Sequence, residues 1–182
     1  MYPKTEIHAF EPLERHVREF RVNTEGIERV HLHPVALGES KGNVPMKHAS
    51  FSDASSLLEI GPQMAQHFHI RKTGEEDVTI ERLDEYVLRM RLPEPDLIKL
   101  DVQGYELQVL RGGLDCLKKA RGVITEVSFI EYYPKQCMFE DVVAFLATSR
   151  YRLHSLSVCT CLGKALDQSD ALFLRHETQC VN

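Results

Sequence analysis

Three acids stand at or beside the ends of apolar, β-rich runs in this chain: Glu11 after IHAF, Asp101 after LIKL, and Glu126 within GVITEVSF. In an open α/β sheet, ligands bind outside the carboxyl ends of the strands, so these three carboxylates would face a common ligand region. A carboxylate at the tip of the second strand of a nucleotide-binding unit presents two acceptor oxygens in one plane and can hold both hydroxyls of a ribose. Glu11 suits that role. It also sits just ahead of an apolar-periodic segment beginning at Leu13, where a helix macrodipole would favour an acid; the two roles are compatible.

Other groups could do chemistry and carry blander readings. Ser55 and Ser56 lie in no strand-turn-helix elbow of the G-x-S-x-G kind, so they are read as candidate lining of an acceptor pocket rather than as nucleophiles. His31 with His33, and His67 with His69, would share a face if extended and could ligate zinc. No glutamate motif or cysteine at metal spacing accompanies them, so they are read as strand or surface histidines and no metal is expected. Cys159 and Cys161 are one residue apart and have no second pair, which suits packing rather than a four-ligand site. Arg15, His16, Arg18 and Arg21 read as a solvated helix face.

The elements that must position these residues alternate. IHAFEP reads as a buried strand, Leu13 to about Asn23 as an amphipathic helix stopped by Gly26, and RVHLHPVALG as a second strand. NVPMKHAS reads as an edge strand because Pro45 cannot donate to a ladder, with EDVTIERL as its partner and a long polar loop from about Phe51 to Glu76 between them. LDEYVLRM is a short helix, LIKL a buried strand, and YELQVLRGG a helix interrupted at Gly112 and Gly113. The segment 114–120 resumes helical turns, GVITEVSF is a strand, and a helix runs from about Phe139 to Thr148. The tail reads as two strands joined around Gly163 and DQSD. This order predicts an α/β sheet with helices on both faces and one reversed strand at the edge.

The chain has 182 residues, 22 Lys plus Arg against 27 Asp plus Glu, and a formal net charge of -5. One domain over residues 1–182 is expected. The acidic balance gives no footprint for nucleic acid or an anionic membrane surface. Cys116, Cys137, Cys159, Cys161 and Cys180 form no even framework, which suits a reducing compartment. No run approaches a membrane span, and Lys4 and Glu6 occupy the place of a signal peptide's apolar centre, so a cytoplasmic location is expected. No G-x-G-x-x-G turn precedes Glu11, which argues against a nicotinamide-dependent oxidoreductase.

The segments HAFEP, HPVALG, SSLLE, VTIERLDEYV and DLIKLDVQGYELQVLRGG resemble, in order and spacing, the FkbM-type methyltransferases that use S-adenosyl-L-methionine. The resemblance runs from about Ile7 to Phe129. It implies a Rossmann-like class I methyltransferase fold, a mostly parallel seven-stranded sheet with an antiparallel C-terminal strand, and methyl transfer to a hydroxyl of a small-molecule or glycan acceptor. By position, Glu11 resembles the ribose acid, Val35, Ala36 and Leu37 the adenine-side strand end, and Asp101 the acid beside the sulfonium and acceptor. Ser55, Ser56, Gln103 and Glu126 fall on the acceptor side. Gln103 stands where the family pattern has Glu. The family's first strand and glycine-rich turn would precede FEP by some twenty-odd residues, so the chain is expected to be N-terminally truncated. That departure supports a second reading, a non-catalytic methyltransferase-like remnant or interaction module.

Overall fold

The computed structural model describes residues 5–176; Cys180, Lys4 and the ends around them lie outside the described residues. The chain begins with β1 (Ile7–Phe10), α1 (Glu14–Asn23) and β2 (Val30–His33), and the two strands pair in parallel with His8 opposite His31 and Phe10 opposite His33. Leu13 and Val17 point inward from the start of α1 and are almost fully buried. β1 is half-buried rather than buried, and Ile7 is exposed, because among the described residues β1 has a hydrogen-bonded neighbour on one side only.

RVHLHPVALG does not form one strand. The amide-less Pro34 ends β2, a tight turn brings the Val35 N–H onto the His33 carbonyl (2.9 Å), and Ala36–Leu37 opens a new strand, β3. β3 lies in a separate three-stranded sheet with β4 (Gly42–Ala49) and β5 (Lys72–Glu81), in the order β3-β5-β4. Pro45 sits on the edge strand β4, as its missing donor requires, and β4 pairs antiparallel with β5 as expected. The connecting loop is shorter than the polar composition suggests. It contains a 3-10 turn (Ser52–Ala54) and α2 (Pro62–Phe68), and β5 already starts at Lys72, its charged residues lying in a ladder with β4.

α3 (Leu83–Met90) leads to β6 (Leu97–Leu100), α4 (Glu106–Gly112), α5 (Leu114–Lys119), β7 (Gly122–Ser128), α6 (Phe139–Thr148), β8 (Tyr151–Leu156), a short hairpin of β9 (Cys161–Leu162) and β10 (Ala165–Leu166), and β11 (Gln168–Arg175). β6 alternates: Ile98 and Leu100 are buried, whereas Leu97 and Lys99 face outward, so only one side of the LIKL run meets the core. A four-stranded sheet has the order β6-β7-β11-β8, with β6 and β7 parallel and β11 antiparallel to both neighbours. The reversed strand is therefore interior and β8 is the edge. The hairpin turn is made by Gly163, at φ 65°, and Lys164; Gln168, Ser169 and Asp170 belong to β11, which pairs with β7 along its length.

The main core lies between this sheet and α3 to α6, with Val109, Leu110, Leu117, Val123, Val127, Leu146, Ala171 and Phe173 at its centre. Phe10 and Leu37 pack against the same cluster, which joins the β1–β2 unit and the three-stranded sheet to it. Among the described residues no helix is long and apolar enough to cross a membrane.

Candidate active site

The carboxyl end of β6 runs into a turn whose backbone is held in an uncommon conformation. Gln103 has φ 52° and Gly104 φ 90°, and a Cβ on Gly104 would lie 2.8 Å from the Gln136 Cβ, so glycine is required there. The turn is secured from outside: the fully buried Ser56 donates from Oγ to the Gln103 carbonyl (2.7 Å) and accepts the Leu58 N–H (3.0 Å). Ser56 thus clamps the turn.

Asp101 projects from the start of this turn and is exposed. Gln103 donates from Nε2 to Asp101 Oδ1 (3.0 Å), and Lys99 Nζ stands 3.4 Å from Oδ2. The amide of Gln103 is fixed at its other end by Tyr133, whose hydroxyl lies 2.9 Å from both Gln103 Oε1 and the Ala54 carbonyl and donates to one of them at a time. Tyr133 is in turn placed by Gln136, whose Oε1 accepts the N–H groups of Tyr132 (2.8 Å) and Tyr133 (2.7 Å). With glutamate at position 103 the donor to Asp101 would become a second negative charge.

Glu126, on β7, completes an acidic group with Asp101, Glu106 and Asp170. Burial, reinforced by the charges of Asp101, Glu106 and Asp170, raises the Glu126 carboxyl to about 7, with Lys99 opposing. Its Oε2 accepts from Gln168 Nε2 (3.1 Å). Glu106 is buried at the start of α4 and also raised, chiefly by burial; it accepts the Gly104 N–H (3.2 Å) and lies 3.3 Å from Cys137 Sγ. Burial and the Glu106 charge push the Cys137 thiol up to about 12, so it stays protonated. The Tyr133 phenol is raised by burial and by the same carboxylates.

Glu11 belongs to a second group. Its Oε1 accepts the N–H of Leu13 (2.8 Å), its Oε2 lies 3.5 Å from His16 Nδ1, and burial raises its carboxyl against these two stabilising contacts. The helix-start role expected for this acid is therefore present. His16 Nε2 meets Ser52 Oγ at 2.5 Å. A cavity of about 200 Å³ opens beside His16, lined also by Leu13, His48, Ser52, Ser55 and Thr73; neither Asp101 nor Glu126 lines it. Ser55 Oγ accepts the Ala49 N–H at 3.2 Å. The segment from Ser52 to Ser56 touches both groups, through Ser52 on the Glu11 side and through Ala54 and Ser56 on the Asp101 side. Val35 and Leu37 are half-buried, and Ala36 is buried in the core of the three-stranded sheet with Leu13, Val78 and Ile80.

A family model described as a methyltransferase FkbM domain matches residues 1–153. The chain belongs to the FkbM methyltransferase family. It is 30% identical over 152 residues to the 2-O-methyltransferase NoeI of Sinorhizobium fredii, a match covering 79% of this chain and 62% of that protein. It is 32% identical over 87 residues to the hexuronic acid methyltransferase AglP of Haloferax volcanii, covering 46% of this chain and 36% of that one. A crystal structure of a methyltransferase FkbM from Methylobacillus flagellatus superposes with a TM-score of 0.53 at 15% identity, over 93% of this chain and 36% of the other. That likeness establishes the α/β fold, and the chain spans less than two thirds of the length of each of these FkbM relatives.

Sequence reasoning missed Tyr133, Gln136, Gln168 and His16 as parts of the two groups. Only Glu106 carried a signal, as the acid five residues after Asp101 inside the LDVQGYELQ segment.

Proposed function

We propose that this chain is an S-adenosyl-L-methionine-dependent O-methyltransferase whose acceptor is a hydroxyl of a sugar or glycan. The observation that carries the reading is the acidic group at the ends of β6 and β7, in which an exposed Asp101 stands with a Glu126 whose proton affinity is set close to neutral. The names of the relatives support it, since a ring hydroxyl suits both a 2-O-methyltransferase and a hexuronic acid methyltransferase.

The residues present fit the cofactor. A carboxylate has about four acceptor sites, and the Leu13 N–H and His16 use two of those on Glu11, which leaves two for the ribose hydroxyls. When bound, the donor supplies an electrophilic methyl group on a cationic sulfonium. Asp101 and its acidic neighbours favour positive charge at the strand ends, and Gln103 holds the Asp101 carboxylate in place without adding charge. Glu126 accepts the proton of the acceptor hydroxyl at Oε1, its Oε2 being occupied by Gln168, and a base with a proton affinity near neutrality is matched to that task. Tyr133 is unsuited to it because its phenol holds its proton more tightly than usual. Alignment of hydroxyl and methyl supplies the larger part of the rate.

The test is thermal unfolding of the full chain with S-adenosylhomocysteine, followed by methyl transfer to hexuronic acids and sugars bearing a free 2-hydroxyl. Ligand at 100 times its Kd stabilises by about 2.7 kcal/mol, so an upward shift in Tm is expected. Asp101→Asn is expected to lower kcat by about 10²-fold or more with the fold retained. No shift with the ligand, or turnover unchanged by both Asp101→Asn and Glu11→Ala, would sink the reading and favour a non-catalytic module.

A further inference from the structure

The opposite end of the β1–β2 unit carries a cluster that the methyl-transfer reading does not use. Glu6 precedes β1, and His8 and His31 face one another across the parallel pair, whereas Glu11 follows the carboxyl end of β1. Glu6 Oε1 lies 3.3 Å from His8 Nε2 and 3.2 Å from His31 Nε2. The ligating atoms of the three side chains all fall within 4.8 Å of one another. Zinc bonds to histidine nitrogen and carboxylate oxygen are about 2.0–2.2 Å long, so neighbouring ligand atoms on a tetrahedron stand roughly 3.3–3.5 Å apart. Two edges of that tetrahedron are in place.

An independent observation points at the same spot. His8 Nε2 is buried and has no hydrogen-bond partner; Glu6 Oε1 is close to it but not aligned to accept or donate. A buried nitrogen left without a partner is costly, and a neutral imidazole nitrogen is the commonest metal ligand. The other nitrogen of His8 is already committed. His8 Nδ1 lies 3.0 Å from His33 Nε2, and His33 Nδ1 lies 3.1 Å from the Tyr86 hydroxyl. With His8 donating from Nδ1 to His33 and His33 donating from Nδ1 to Tyr86, each ring has one donor and one acceptor, and His8 presents a bare Nε2 to the cluster. This is the outer-shell arrangement that fixes the tautomer of a ligating histidine. The rings are also held by stacking, His8 on His31 at 4.9 Å and on His33 at 5.3 Å between centroids.

We propose that Glu6, His8 and His31 form a binding site for a first-row divalent cation of the zinc type, with His33 and Tyr86 as its outer shell. The ion takes two histidine nitrogens and one carboxylate oxygen, and the fourth position is open to water, since Glu6 and His31 are 46% and 43% exposed. The site ties the residue before β1 to the middle of both strands, so its role is to brace the β1–β2 unit that ends in Glu11 rather than to take part in methyl transfer.

The experiment is a titration of the chelator-stripped full chain with zinc against a chromophoric chelator, read together with Tm. One zinc per chain and an upward Tm shift are expected. Glu6→Gln and His31→Asn alter half-exposed side chains and leave the core intact; each is expected to weaken zinc binding by more than the roughly 10–100-fold that loss of an outer-shell partner costs. Tyr86→Phe should fall within that smaller range. A double Cys159→Ser, Cys161→Ser variant should bind zinc as the wild type does. Absence of zinc binding, or binding unchanged in Glu6→Gln and His31→Asn but lost in the cysteine variant, would overturn the proposal.

Discussion

Glu126 binds its proton more tightly in the folded chain, at about 7, than the ordinary carboxyl value of 4.5 that the unfolded chain retains. Between those values the folded state carries the extra proton, so stability falls as pH rises. The contribution is fully present below about pH 4.5 and gone above about 7; a shift of this size is worth on the order of 3 kcal/mol. Glu126→Gln is therefore expected to flatten the decline in stability from pH 5 to pH 8, and urea unfolding at the two values measures it. An equal decline in variant and wild type would mean that another group carries the proton. Activity should move the opposite way, rising through about pH 7 in the wild type as Glu126 becomes able to accept a proton, and that rise should be absent in the variant. The three strand-end acids were legible in the sequence because each lies at or beside the end of an apolar run. Tyr133 and Gln136 were not, because they come from the irregular stretch after β7, where no periodicity marks a side chain's direction; Gln136 bonds locally to the Tyr132 and Tyr133 amides, and the Tyr133 hydroxyl contacts reach 30 or more residues along the chain.

At the level of elements, two glycines from separate motifs meet. A Cβ on Gly112, at the end of α4, would lie 2.0 Å from the carbonyl oxygen of Gly38, the last residue of HPVALG. The obstacle is backbone, so α4 would have to move off β3, and α4 follows directly on the turn that carries Asp101. Gly112→Ala is expected to cost at least the 1–3 kcal/mol typical of overpacking, lowering Tm by several degrees for a chain of this size. Gly113→Ala should cost less, because its Cβ would meet the flexible Leu83 side chain at 3.0 Å. Thermal melts of the two variants side by side test the difference, and equal losses would show that helix propensity rather than the close approach sets the cost. The glycine pair was legible as a helix break, and the structure bears that out by ending α4 at Gly112 and starting α5 at Leu114. Its role as a contact was not legible, since nothing local links position 112 to position 38. The boundaries that sequence patterning missed have similar causes: Pro34 splits a run that looks continuous, and the charged start of β5 forms a ladder because β4 lies beside it.

Across the whole molecule the backbone ladders fall into separate units. β7 and β11 have neighbours on both sides within the four-stranded sheet, whereas among the described residues β1 and β2 pair only with each other and meet the rest through side chains such as Phe10 and His33, with Leu13 following just after β1. Local opening requires fewest contacts to be broken where ladders are short and half-exposed, so the β1–β2 unit should open at lower free energy than β7 and β11. Native-state hydrogen exchange is expected to show the amides of Ile7 to Phe10 and Val30 to His33 exchanging well before those of Val123 to Val127 and Ala171 to Phe173. The two proposed ligands act on this unit from opposite ends, S-adenosylhomocysteine through Glu11 and zinc through Glu6, His8 and His31. Each should slow exchange in β1 and β2 selectively, because a ligand stabilises the state that binds it against any opening that breaks the site. The variants separate the two effects: Glu11→Ala should abolish the protection by S-adenosylhomocysteine while leaving that by zinc, and His31→Asn should do the reverse. If β1 and β2 exchange as slowly as β7 without either ligand, side-chain packing on Phe10 and Leu13 already joins them into the core's cooperative unit, and neither ligand would have an opening to suppress.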